Sequence, residues 1–117
     1  MRTELEIIAD LWADQIMNGS WDNGEAMHNI FGSVLRAAAS KPTEQQIATF
    51  KQTLVEECLK LGDHINLGVD YHPDQELSTA CEKAGISINL LPVKSTTWAS
   101  PGKVQYKFGY GAKIQSL

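Results

Sequence analysis

Between Thr43 and Tyr71 the hydrophobic period of the chain changes from helical to alternating. Ile47, Phe50, Leu54, Cys58 and Leu61 recur at the spacing of one helix face. Thr43 followed by Gln46 has the spacing of a capping box, and Gly62 ends the run. Ile65, Leu67, Val69 and Tyr71 then alternate with Asn66, Gly68 and Asp70, the pattern of a half-buried strand. The period thus switches from helix to strand, which points to a mixed α+β unit.

The flanking segments extend this plan. Leu5, Ile8, Trp12 and Ile16 predict an N-terminal helix, with Ile7 and Leu11 widening its apolar face. Gly19 ends it, and Asp22 or Asn23 is placed to cap a second helix carrying Met27, Ile30, Phe31, Val34 and Ala38 inward as far as Pro42. After the strand, Pro73 suits the first position of a helix, with Asp74 and Glu76 near the positive end of its dipole. Leu77, Ala80, Cys81 and Ala84 form its buried face, and Gly85 is the stop. Ile86, Ile88 and Leu90 predict a short strand. Residues 93–99 and 104–110 flank Ser100-Pro101-Gly102-Lys103, a type II turn sequence. If Ser100 pairs with Lys103, then Val104, Tyr106, Phe108 and Tyr110 lie over Ser95, Thr97 and Ala99, while Trp98 falls among lysines on the other face. The expectation is a single α+β domain over residues 1–117: three N-terminal helices followed by a strand, a helix and a C-terminal antiparallel hairpin in a small mixed sheet.

With 117 residues the chain suits one domain. Glu4, Glu6, Asp10 and Asp14 interrupt the N-terminal apolar run, so it does not read as a signal peptide, and no stretch reaches membrane-spanning length. A cytoplasmic protein with no membrane association is expected. Cys58 and Cys81 fall on inward helix faces and read as reduced core residues. All fourteen Asp and Glu lie before residue 86, where the balance is −8; beyond it Lys94, Lys103, Lys107 and Lys113 give +4. Such asymmetry fits an anionic partner, or docking of the basic tail on the acidic body within one chain or across a dimer.

Two stretches carry candidate chemistry. In VDYHPDQEL, Asp70, His72, Asp74 and Glu76 offer carboxylates and an imidazole. Asp70 and His72 leave a strand end, whereas Asp74 and Glu76 sit in a helix first turn, so capping explains the acids and no metal or cofactor is implied. Cys58, His64, His72 and Cys81 lack the close spacings of a zinc site, and no motif supports either cysteine as a nucleophile. In GYGAK, Gly109 and Gly111 either bend the strand or let a ligand approach, and Lys113 could hold an anion. Neither phosphate-binding glycine fingerprint is present. Aromatics interleaved with lysines from Lys94 to Tyr110 resemble single-strand nucleic-acid surfaces, a reading that the acidic overall charge disfavours.

VDYHPDQELSTACEKAGI and KSTTWASPGKVQYKFGYGAKI resemble a family of small uncharacterised bacterial and phage proteins. Its genes travel with prophages and other mobile elements, integron gene cassettes among them. The pattern is a VDYxPD junction, an AGI helix end, a Trp before a GKV turn and a closing GYGA, and it covers residues 67–114. Members are sometimes labelled ADP-ribosyl-(dinitrogen reductase) hydrolases; true ADP-ribosylglycohydrolases are much larger helical enzymes with paired metal-binding aspartates. The resemblance implies a fold but no reaction, and its matching positions are Asp70, Tyr71, Asp74, Trp98, Gly109, Tyr110 and Gly111, with His72 where a small residue is usual.

The leading expectation is a non-catalytic binding or accessory protein that self-associates as a homodimer through the hairpin and through Ile7, Leu11 and Trp12 on the first helix. The competing one is a small enzyme or sensor for an anionic, nucleotide-like ligand, with Asp70 or His72 near Tyr110 and Lys113. A nucleic-acid binder is third.

Overall fold

The structure, a computed structural model, describes residues 1–18, 42–109 and 111–117. The predicted second helix and Tyr110 lie outside the described residues. Among those described, helix α1 (Arg2–Asn18) and helix α2 (Glu44–Leu59) precede strand β1 (Ile65–Val69), helix α3 (Gln75–Ala84), a short 3-10 helix (Ile88–Leu90) and strands β2 (Ser95–Ser100), β3 (Lys103–Lys107) and β4 (Gln115–Ser116). The mixed helix and strand composition is as expected. The sheet is antiparallel throughout, in the order β1-β2-β3-β4, and so not mixed.

The helix starts and stops follow local chemistry. Thr43 caps α2: its Oγ1 accepts the Gln46 N–H at 3.1 Å, and the Gln46 side chain accepts the Thr43 N–H at 2.9 Å. The same Gln46 donates through Nε2 to the Gly85 carbonyl at 3.1 Å, which ties the start of α2 to the end of α3. Gly85 ends α3 in the left-handed conformation, φ 70°, and the Ile86 N–H reaches back to the Cys81 carbonyl. Pro73 precedes the cap instead of opening the helix, and Asp74 is the N-cap.

The expected strand at Ile86 to Leu90 is replaced by the 3-10 helix. Ser87 accepts the Asn89 N–H and the Leu91 N–H closes back on Ile88, so the chain turns, leaving Ile88 exposed and Leu90 buried. Tyr71 continues the alternation of β1 in sequence, yet it is 59% exposed. The strand ends at Val69, which bridges to Pro73 across a tight excursion at residues 70–72.

One hydrophobic core joins the helices to one face of the sheet. Trp12, Ile8, Leu5 and Ile16 of α1, Phe50 and Leu54 of α2, and Leu77 and Cys81 of α3 meet Ile65, Leu67, Ala99 and Val104. α1 lies against β2 and β3, and α2 packs between α1 and α3. The turn at Pro101 and Gly102 pairs Ser100 with Lys103, and the Gly102 N–H donates to the Glu4 carboxylate, fastening the hairpin to the first turn of α1.

The register sorts the sheet into two faces. Leu67, Thr97 and Tyr106 form one cross-strand row on the helix side. On the opposite side Gly68, Thr96 and Lys107 form one row, and Asn66, Trp98 and Gln105 the next. Trp98 is half-buried there, among Lys103, Gln105 and Lys107, as the turn register predicts. β3 stops at Lys107, short of the predicted Tyr110, and β4 returns to pair beside Gln105 and Tyr106.

Candidate functional site

The first half of the site is the excursion between β1 and α3. Asp74 serves as its clasp. Its carboxylate accepts the Gly68 N–H at 2.8 Å, and its own N–H donates to the Gly68 carbonyl at 3.0 Å. The side chain makes no capping bond within α3 and instead satisfies the outer edge of β1. Asp74 thus stands at the helix start as expected, but its carboxylate bonds to the strand and not to the first turn of α3.

Lys94, which the sequence reading left out of the site, organises the tip of the excursion. Among the described residues it is the one non-glycine with positive φ, 55°. Its N–H donates to the Asp70 carbonyl at 3.3 Å, its ammonium pairs with the Asp70 carboxylate, and the same ammonium sits 4.3 Å from the centroid of the Tyr71 ring. The hydrogen bond that the Lys94 ammonium donates to the Asp70 carboxylate holds its pKa above the ordinary value. Asp70 and Tyr71 therefore belong to a local clasp that closes on β2.

Beyond the clasp is an open cleft of about 620 Å³ on the outer side of the sheet. Asp70, His72 and Asp74 line one wall, and Lys94, Thr96 and Lys107 the other. Gly68 and Gly111 contribute backbone. A Cβ at Gly68 would lie 3.2 Å from the Ser95 carbonyl oxygen and 3.3 Å from Thr96 Oγ1, so the glycine keeps this stretch of floor open. A smaller hollow of about 200 Å³ adjoins along β2, lined by Asn66, Trp98, Lys103 and Gln105.

The anticipated residues divide. Asp70, His72, Asp74 and Gly111 meet at the cleft, and Tyr71 supports its rim. Trp98 belongs to the second hollow. Gly109 is buried, and its N–H donates to Ser95 Oγ at 2.9 Å, so it is a turning point of the chain. Lys113 is exposed and does not line the cleft, which removes the anticipated pairing with Asp70 or His72. Gly68, Thr96 and Lys107 were missed. The signal for them was present: once Ser100 pairs with Lys103, alternation puts Thr96 opposite Lys107.

Trp12, anticipated on a dimer face, is a core residue with 0% exposure. Its ring meets Phe108 edge-on at 5.2 Å, and its indole N–H donates to Thr97 Oγ1 at 2.9 Å. Ile7 and Leu11 are half-buried and pack on the same core. Burial pushes the Cys58 and Cys81 thiols up to about 12, whereas His64 and His72 are exposed; neither cysteine is a thiolate with an imidazole base beside it. Among the described residues no three His, Cys, Asp or Glu side chains converge on a point that could hold a metal ion, and no helix is long and apolar enough to cross a membrane. No protein-family model matches the chain, and no curated protein matches it either.

Proposed function

We propose that this chain is a non-catalytic binding protein that takes a small anionic ligand in the cleft over Gly68, Thr96 and Lys107. The observation that carries this reading is the distribution of partners. Asp70 is paired with Lys94, and Asp74 faces the Gly68 N–H and the amino end of α3, both of which absorb its charge. Lys107 has no ion-pair partner among the described residues, and Thr96 offers a hydroxyl beside it in the same cross-strand row. An ammonium and a hydroxyl are donors suited to a phosphate or carboxylate, and Gly68, whose N–H is given to Asp74, contributes only space without a side chain. The cleft carboxylates are engaged, the thiols are protonated in the core, and His72 stands on the cleft wall with no nucleophilic side chain paired to it among the described residues, so the groups at hand favour holding a ligand over transforming it.

The test is a titration with inorganic phosphate followed by amide chemical shifts. Expected are saturable shifts centred on Gly68, Thr96 and Lys107, weakened by added salt and lost in Lys107→Gln. Shifts scattered over all lysines, or unchanged binding by Lys107→Gln, would sink the proposal.

A further inference from the structure

From the two outer rows of the sheet we infer that the anion is the phosphate of a single nucleotide whose base stacks on Trp98. This inference rests on the anion-binding reading of the cleft and extends it to the neighbouring hollow. Thr96 and Trp98 are two residues apart on β2 and share its outer face, so they are separated by roughly 7 Å along the strand. That is the length scale of a sugar placed between a base and its phosphate. Lys107 stands across from Thr96 in one row, and Asn66 and Gln105 stand on either side of Trp98 in the next.

Each group has a distinct task. The Trp98 ring supplies an aromatic surface for a base, and neither a ring contact nor a hydrogen bond engages it among the described residues. Neighbouring strands lie about 4.8 Å apart, so the carboxamides of Asn66 and Gln105 flank the ring within reach of the base edges. Gln105 spends its Nε2 on Ser116 Oγ at 3.2 Å, which leaves its carbonyl oxygen to accept from an exocyclic amine. Lys103 lines the same hollow and adds positive charge beside the base. The phosphate takes the Lys107 ammonium and the Thr96 hydroxyl over the open Gly68 floor.

The occupant is one nucleotide and not a strand. Trp98 is the one ring on the outer rows of the described sheet, so successive bases have no second platform there. The net charge of −4 also opposes a polyphosphate.

Isothermal titration of the full chain with the four ribonucleoside monophosphates, ribose 5-phosphate, adenosine and an adenine hexanucleotide tests this. At least one monophosphate is expected to bind about 10-fold or more tighter than ribose 5-phosphate. Trp98→Ala erases that advantage, Trp98→Phe retains most of it, and Lys107→Gln weakens monophosphate and sugar phosphate alike; circular dichroism checks that each variant is folded. Equal affinity for ribose 5-phosphate and every monophosphate overturns the nucleotide inference while leaving the anion site intact. Absence of binding by all phosphates overturns both. A hexanucleotide bound more tightly than any monophosphate overturns the single-nucleotide occupant.

Discussion

At the scale of single residues, the side chains that fix the sheet are polar ones in apolar surroundings. Trp12 donates its indole N–H to Thr97 Oγ1 at 2.9 Å, and the Thr97 hydroxyl donates onward to the Leu67 carbonyl at 3.4 Å. Both side chains are fully buried, so the relay anchors α1 to two strands where no solvent competes for its bonds. Thr97→Val keeps the shape of the side chain but leaves the indole N–H without its acceptor. The expected cost is about 1–3 kcal/mol, the penalty for a buried unsatisfied donor. Trp12→Phe removes that donor but also part of a core ring, so it is destabilising alone by about 2–4 kcal/mol. The two substitutions are expected to be less than additive, since the second removes the group that the first leaves stranded. Urea unfolding of both single variants and the double variant measures this, and strict additivity would show that the hydrogen bond contributes nothing.

At the scale of elements, Gln46 has two duties: it completes the capping box of α2 and it donates to the Gly85 carbonyl at the end of α3. Gln46→Glu keeps the first and loses the second, because a carboxylate accepts the Thr43 N–H but cannot donate to Gly85. Gln46→Ala loses both. Chemical denaturation is expected to rank wild type above Gln46→Glu above Gln46→Ala, with each step about 0.5–1.5 kcal/mol. Equal stability of the two variants would mean that the bond to Gly85 is idle. The capping box itself was legible, because its partners are three residues apart; the bond to Gly85, 39 residues away, was not. The same division runs through the site. The inward faces of α1 and α3 follow from periodicity, and the faces of the hairpin follow from its turn. Asp74 looked like a helix-start acid because capping is a local reading, whereas its carboxylate is claimed by Gly68, which the chain reaches only by folding back. Lys94 was illegible for a further reason: nothing in Val93-Lys94-Ser95 announces a lysine with φ 55° whose N–H and ammonium both meet Asp70. Ile86 to Leu90 misled because its alternation is genuine, but Ser87 turns the chain before a ladder can form.

At the scale of the whole molecule, the core spans the helices and one sheet face, while the outer rows are left to polar side chains, so stability and binding are drawn from opposite sides of the sheet. This separation can be read through the two thiols. Cys58 of α2 and Cys81 of α3 are both buried in the core, and burial raises each from its ordinary value near 9 to about 12. Folding therefore favours the protonated thiol. Below pH 9 both folded and unfolded chains hold these protons, and the linkage is silent. Between pH 9 and about 12 the unfolded chain releases them first, so it binds fewer protons than the native state and stability falls as pH rises. The slope is no steeper than about 1.4 kcal/mol per pH unit for each thiol. Tyrosines and lysines also titrate in this range, so the informative quantity is the difference between wild type and a Cys58→Ala, Cys81→Ala double variant. That variant starts less stable, because each substitution leaves a small void, but its stability declines less steeply between pH 8 and 10.5. Parallel declines would mean that the thiols sense water in the folded state and that the core between α2 and α3 opens without global unfolding. A steeper decline in wild type means that this core excludes water as one unit; Lys107→Gln and Trp98→Ala, which change only the outer rows, are then expected to leave the difference in slope unchanged.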